Sequence, residues 1–66
     1  MYRRPVSSSR MSSVGWENGT LEIEFNDGAV YQYYHVSEQE YHNFMRSPSL
    51  GRALSILDKQ HPYRRV

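Results

Sequence analysis

The chain contains no cysteine, so neither a disulfide nor a thiolate-bound metal can staple it together. It also lacks any apolar run near the roughly 20 residues that a membrane-spanning helix needs, and no apolar segment of the kind found in secretory signals follows its first residues. With 66 residues it has room for one domain, whose core must come from packed side chains. These absences predict a single domain in the reducing cytoplasm, away from any membrane.

The charged residues are unevenly distributed along the chain. Residues 1–10 carry a net charge of +3, residues 11–45 of −6 and residues 46–66 of +4, although the whole chain carries only +1. A nearly neutral protein of this kind still acquires a basic surface if the two ends of its chain come together.

Residues 1–10 differ in composition from the rest of the chain. They combine three serines with three arginines and one proline, and they show no apolar periodicity. This composition predicts a flexible basic tail, followed by a single domain over residues 11–66.

Two strand patterns follow the tail. Residues 11–17 alternate weakly, and the dipeptide Asn18-Gly19 after them is a strong hairpin signal because both residues tolerate positive φ. In residues 20–25 the alternation is strict, with apolar Leu21, Ile23 and Phe25 on one face. The pattern predicts a strand that buries one face and exposes the other.

The turn Asn26-Asp27-Gly28 leaves two registers open for the third strand. A three-residue loop with left-handed Gly28 would pair Ile23 with Tyr31 and Leu21 with Tyr33, and would bury both tyrosines. A two-residue loop would instead bury Val30, Gln32 and Tyr34, since a shift of one residue exchanges the faces. We favour the first register, because the second buries a glutamine without an evident partner. Tyr31 and Tyr33 are then core residues.

Two helices are predicted after the strands. Ser37 and Glu40 have the spacing of a capping box, which begins a helix that runs to about Arg46. Ser47 or Ser49 then caps a second helix over about residues 50–59, whose apolar positions follow a helical period. We expect its core-facing residues to be Leu50, Ala53, Leu54, Ile56 and Leu57.

His61-Pro62 ends the second helix, and residues 63–66 form a short extended end that can lie along the sheet. The predicted fold is therefore α+β: a three-stranded antiparallel meander followed by two short helices packed on one face.

Catalytic and metal-binding patterns are absent from the sequence. His35, His42 and His61 match no compact ligand spacing. No serine lies in a nucleophile elbow, and no glycine-rich phosphate loop is present. We therefore predict no catalytic residue, no metal, no cofactor and no enzymatic activity.

Nucleic-acid binding is one hypothesis for the function. Single strands are held by aromatic stacking together with cationic tracks. Tyr34 and Tyr63 are candidates for stacking. Five basic residues are candidates for phosphate contacts, namely Arg46, Arg52, Lys59, Arg64 and Arg65. Because Glu22 and Glu24 would repel phosphate on the open sheet face, such a site should lie on the helical or C-terminal side. The simpler interpretation is that the tyrosines fill the core and the arginines solvate the helices.

Protein binding is the second hypothesis. The second and third predicted strands are short, and they can leave a sheet edge open to strand addition by a partner. In either case we expect the protein to be a monomer.

The chain resembles the KTSC family, a short module found at the C-terminus of some lysyl-tRNA synthetases and as stand-alone bacterial proteins. The mark of this family is a Tyr-x-Tyr that follows a strand and a glycine turn, here Gly28, Tyr31 and Tyr33 after Phe25. Ser49-Leu50-Gly51 and Tyr63-Arg64-Arg65-Val66 are similar to its downstream motifs, so the resemblance covers about residues 9–66.

The chain also departs from the family pattern at the second helix. Where the family often has a lysine and then an aromatic residue, this chain has Arg52 and Leu54, and Ser37 replaces a common proline. The resemblance implies an accessory role beside RNA enzymes, with tRNA or single-stranded RNA as partner, by association with the synthetases.

Overall fold

The computed structural model describes all 66 residues, which form five strands and two helices. In chain order these are β1 (Arg4–Pro5), β2 (Met11–Glu17), β3 (Thr20–Phe25), β4 (Val30–Tyr33), α1 (Glu38–Met45), α2 (Leu50–Gln60) and β5 (Tyr63–Arg65). The predicted α+β class is confirmed, and so is the antiparallel meander with both helices on one face. The sheet has five strands rather than three, because each end of the chain adds a short one.

All neighbouring strands are antiparallel, and their spatial order is their order in the chain. The edges of the sheet are therefore β1 and β5. The expectation that the second and third predicted strands leave an open edge is wrong, because they are β3 and β4 and both are paired on their two sides.

The register between β3 and β4 is the one that buries the tyrosines. Leu21 pairs with Tyr33 and Ile23 with Tyr31, and Gly28 has a φ of 92°, as the three-residue loop requires. The preceding hairpin also has its predicted turn, since Asn18 and Gly19 both have positive φ. Two local turn signals thus determine the faces of three strands.

The helices begin at their predicted caps. Ser37 Oγ accepts the backbone N–H of Glu40, and the Glu40 carboxylate accepts the N–H of Ser37, which completes the capping box. In α2 the cap is Ser49, whose hydroxyl accepts the N–H of Arg52. His61 is the C-cap of α2, as the His-Pro sequence predicts.

The core lies between the sheet and the helices. Its nine buried residues come from every layer: Met11, Val14, Leu21, Ile23, Tyr33, Val36, Phe44, Leu54 and Leu57. Tyr33 is fully buried, whereas Tyr31 is only partly buried. Ile56 was expected in this core, but its side chain is 53% exposed. The reason is helical geometry: two residues along α2 from Leu54, Ile56 faces away from the sheet.

The N-terminal residues contribute to the sheet in this structure. Arg4 pairs with Val14, and Val6 packs against the core. The segment passes so closely over Gly15 that a Cβ there would collide with the backbone oxygen of Tyr2. A two-residue strand is too short to produce an alternating pattern, so the composition of residues 1–10 predicts only a tail.

Candidate functional site: an aromatic groove beside the second helix

A groove of about 530 Å³ opens between the C-terminal half of α2 and the helix-side face of β4 and β5. We call it the aromatic groove. Its wall contains Phe25, Tyr31, Tyr33, Leu54, Asp58 and Tyr63, and Arg10, Asp27 and Arg65 line it with them. Its volume lies within the range of roughly 300–1,000 Å³ typical of small-molecule sites.

Strand pairing determines which side chains face the groove. Residues opposite each other in the register share a face of the sheet, and β4 pairs with β5 through Tyr31 with Arg65 and Tyr33 with Tyr63. These four residues therefore all point to the helix side. Arg64 pairs with Gln32 and so belongs to the outer face.

The aromatic rings form a connected cluster. The Tyr63 ring centroid lies 5.1 Å from that of Tyr33 and 6.0 Å from that of Tyr31, both in tilted arrangements. Phe25 packs edge-on against Tyr31, with centroids 5.5 Å apart. Tyr63 is 50% exposed, so part of this cluster is accessible from solvent. An accessible ring supported by other rings is suited to stacking with a planar ligand.

Tyr33 is joined to α2 by a hydrogen bond. Its hydroxyl donates to Asp58 Oδ1 at 2.8 Å. Burial raises the pKa of the Tyr33 phenol well above its usual range, and the nearby Asp58 carboxylate raises that pKa further. Tyr33 therefore remains a neutral donor that holds Asp58 in the groove wall, and it is unsuited to act as a nucleophile or base.

The groove carries charges of both signs. Asp27 Oδ1 accepts the backbone N–H of Ala29, and Arg10 donates to the carbonyl of Gly51 at 3.5 Å. Neither Arg10 nor Arg65 forms an ion pair with a carboxylate; among the lysines and arginines only Arg3 does so, with Glu22. The two groove arginines are thus available to an anionic ligand.

The structure separates the six residues predicted to contact nucleic acid. Tyr63 and Arg65 line the aromatic groove, and Arg64 lies on the opposite face of the same strand. Arg52 lines a second groove of about 330 Å³, between α1 and α2, which neither tyrosine nor another arginine reaches. Arg46, at the C-terminus of α1, and Lys59, on α2, are exposed and line neither groove.

The outer face of the sheet is also different from the expected solvated acidic surface. Glu22 is only 9% exposed, because Arg3 covers it and donates to Oε2 while Gln32 donates to Oε1. The Gln32 hydrogen bond, with a contribution from the Arg3 guanidinium, lowers the pKa of Glu22. The Tyr34 hydroxyl donates to Gln32 and joins the same network. Tyr34, the other stacking candidate, is therefore already engaged on the face opposite the groove.

The histidines lie apart from one another. His61 contacts the Tyr34 carbonyl and the Glu40 carboxylate, at 3.1 and 2.8 Å, and His42 lies 3.6 Å from Glu38. His35 has a φ of 61° in the loop before α1. No group of three or more histidine, cysteine, aspartate or glutamate side chains is arranged to hold a metal ion. Neither helix has the length and apolar character needed to cross a membrane.

Three charged groove residues, Arg10, Asp27 and Asp58, were not among the predicted site residues. Arg10 was assigned to the tail, although counting back along the Asn18-Gly19 hairpin places it beside the β3–β4 turn, where its carbonyl accepts the N–H of Asn26. Asp58 gives no such signal, because its contact with Tyr33 depends on how α2 packs across the sheet.

The profile of the KTSC domain matches residues 7–61. The chain belongs to the KTSC domain family. An uncharacterised protein of Stutzerimonas stutzeri strain A1501 is 35% identical over 66 residues, with 97% of this chain and 93% of the relative covered.

A KTSC domain protein from Yersinia pestis has the same fold. Its crystal structure matches with a TM-score of 0.92 at 38% identity, and the match covers 98% of this chain and 96% of the other. The likeness therefore includes the strands at both ends of the chain. In this KTSC domain both tyrosines of the Tyr-x-Tyr line the aromatic groove, and Tyr33 is also a member of the buried core.

Proposed function

We propose that this KTSC domain is a small, non-catalytic binding module whose ligand is single-stranded RNA, including the unpaired segments of tRNA, held in the aromatic groove. The observation that carries the proposal is the half-exposed ring of Tyr63, which packs against Tyr31 and Tyr33. Arg65, which forms no ion pair, lines the same groove. A base can stack on the ring while a phosphate contacts the arginine.

The basic residues support this proposal in two ways. Arg10 comes from the N-terminal part of the chain and Arg65 from the C-terminal end, so folding brings the two basic ends of the sequence to one groove. Neither arginine is neutralised by a carboxylate within 4.0 Å. We accordingly limit the proposed site to Tyr63, Arg65 and Arg10, with Arg46, Arg52 and Lys59 as distant charges that attract RNA at low salt.

A binding role is also more consistent with the chemistry of the groove than catalysis is. Its tyrosine–aspartate pair holds a phenol whose pKa is raised, the opposite of what an activated nucleophile or base needs. We place this module in the cytoplasm, in keeping with a chain that has no cysteine.

An NMR titration of labelled protein with short single-stranded RNA tests the proposal. We expect the largest shifts at Tyr63, Arg65 and Arg10. Tyr63→Ala should weaken binding by about 1–3 kcal/mol if one base stacks on the ring. Tyr2→Ala is the control, because Tyr2 is 78% exposed and does not line the groove.

Arg64 and Arg65 form a matched pair for the electrostatic part of the site, since they are neighbours on opposite faces of β5. Arg65→Ala should lower the salt dependence of binding by about 0.7 in the slope of log K against log salt, the value for one phosphate contact to a single strand. Arg64→Ala should leave the slope unchanged. Equal effects of the two substitutions, or RNA shifts confined to residues outside the groove, would contradict the proposal.

A second candidate function is protein binding by strand addition at β5. This strand is paired on one side only, and its three residues are all exposed. A pull-down after nuclease treatment tests it: a partner that is retained by the natural chain and lost on Arg65→Pro, which removes a backbone N–H that points away from β4, would support this role. Retention of the partner by that variant would exclude β5 as the docking edge.

A further inference from the structure

The aromatic groove has a feature that phosphate binding does not use: carboxylates lie in it beside the cations. Asp58 and Asp27 line the same groove as Arg10 and Arg65. A surface that only follows a phosphate backbone gains nothing from carboxylates, since they repel the phosphates. The mixture of charges fits a ligand with hydrogen-bond donors at one end and an anion at the other.

We propose that the aromatic groove is selective for guanine, with the Asp58 carboxylate accepting hydrogen bonds from the Watson–Crick edge of the base. The inference rests on the proposed function, because it names the nucleotide that the RNA-binding groove prefers.

Asp58 has unused acceptor capacity. Its single side-chain hydrogen bond comes from Tyr33 to Oδ1, and it forms no ion pair. An ionised carboxylate offers about four lone-pair positions on its two oxygens. Both oxygens can therefore accept further hydrogen bonds, while the Tyr33 hydroxyl fixes the carboxylate against the groove wall.

Among the four RNA bases, guanine is the one whose Watson–Crick edge carries two adjacent donors, N1–H and the N2 amino group. These match the two oxygens of a carboxylate. Adenine and cytosine place an unprotonated ring nitrogen beside their amino group, and uracil flanks its single N–H with carbonyl oxygens. Each of these three would direct at least one lone pair at the carboxylate, at an electrostatic cost.

The other groove residues complete a nucleotide site. The tilted rings of Tyr63 and Tyr31 offer a surface for the face of the base. Arg10 and Arg65 are the unpaired cations for its phosphate. Donor edge, ring face and phosphate thus each have a matching group in one groove of about 530 Å³.

Nucleotide titrations followed by NMR test the inference without any substitution. Guanosine monophosphate should bind about tenfold or more tightly than adenosine, cytidine or uridine monophosphate, as expected for one bidentate hydrogen-bonded pair. Inosine monophosphate lacks only the N2 amino group and should fall between guanosine monophosphate and the other three. Equal affinity for all five nucleotides would overturn the inference.

Two near-isosteric variants then test which groove carboxylate recognises guanine. In Asp58→Asn the side-chain oxygen can still accept from Tyr33, but the amide N–H₂ now faces the donors of guanine, so the preference should fall to within about threefold. Asp27→Asn makes the same charge change in the same groove and should keep the preference. A preference that survives Asp58→Asn, or that is lost only in Asp27→Asn, would overturn the assignment to Asp58.

The same experiments separate this inference from the proposed function. RNA binding that depends on Tyr63 and Arg65 but is equal for all bases would refute guanine selectivity and leave RNA binding intact. A guanine preference for mononucleotides, with no binding of RNA oligonucleotides, would refute the RNA module and leave the guanine site.

Discussion

The two faces of the sheet differ in how fully the hydrogen-bonding capacity of their polar groups is used. On the outer face, Glu22 receives hydrogen bonds from Arg3 and Gln32, and the network is internally satisfied. On the helix side, Asp58 receives one hydrogen bond, from Tyr33, and Arg65 has no ion-pair partner. A satisfied network contributes to stability, whereas groups with unused bonding capacity beside accessible rings are available to a ligand.

This difference separates neighbours in the sequence. Tyr33 and Tyr34 are adjacent, yet one holds the groove wall and the other closes the outer network. Arg64 and Arg65 are also adjacent and lie on opposite faces. The alternation of β-strands thus places adjacent residues in the outer network and in the groove, and substitutions of such neighbours can test this placement.

The largest expected effect is on Tyr33. Tyr33→Ala removes the largest fully buried side chain and should cost about 3–5 kcal/mol of unfolding free energy, much of the stability of a small domain. Tyr34→Ala should cost only about 1 kcal/mol, the value of its hydrogen bond to Gln32. Urea denaturation of both variants measures the difference, and equal costs would mean that the two tyrosines do not lie on different faces.

A substitution at Gly15 tests whether β1 and the residues before it cover this part of the sheet. Gly15→Ala should cost about 1–3 kcal/mol, because the new Cβ would collide with the backbone of Tyr2 and displace β1. In a chain that lacks residues 1–5 the same substitution should cost almost nothing. Thermal unfolding of the four proteins in this cycle measures the coupling, and a cost that is unchanged by the truncation would show that β1 does not cover Gly15.

Glu22 should make stability dependent on pH. Its pKa is lower in the folded protein than its ordinary value of 4.5, chiefly because of the Gln32 hydrogen bond. Its contribution is therefore complete above the unfolded-state pKa and is lost as the pH falls through the lower folded-state pKa. Glu22→Gln should cost about 1–3 kcal/mol at pH 7, and urea denaturation should show this difference shrinking in acid. A difference that stays constant down to pH 2 would argue against a depressed pKa.

The smallest expected effect on stability concerns the two arginines of β5. Both are exposed, so Arg64→Ala and Arg65→Ala should each change the unfolding free energy by no more than about 0.5 kcal/mol. Differential scanning calorimetry measures this. A large loss in either variant would mean that any change in its binding behaviour reflects unfolding.

Local signals in the sequence predicted most of the fold. Asn18-Gly19, Asn26-Asp27-Gly28 and the Ser37–Glu40 capping box each specify a backbone conformation through a few adjacent residues, and each is present in the structure. The site was predicted less completely. Tyr63 and Arg65 were among the candidates and do meet in the groove, whereas Arg46, Arg52, Lys59 and Arg64 lie elsewhere.

One reason explains why four of the candidate residues lie outside the groove. They share a sign of charge, but the sign of a charge carries no information about direction: Arg46 ends α1, Arg52 and Lys59 lie on α2, and Arg64 lies on the outer face of β5. Ile56 is an apolar example of the same limit. The apolar positions that follow the helical period of α2 include Ile56, but this position faces solvent.

By itself the sequence determined the meander, the helix boundaries and the face on which each tyrosine of the Tyr-x-Tyr lies, because turns, caps and alternation act over a few residues. Only the tertiary structure decided that the N-terminal residues add an edge strand, that Arg3 covers Glu22, and that Arg10, Asp58 and Arg65 line one groove with Tyr63. The residues that line this groove lie up to 55 positions apart in the sequence. The groove forms because the packing of α2 and the pairing of β5 bring distant segments together, which no local pattern encodes.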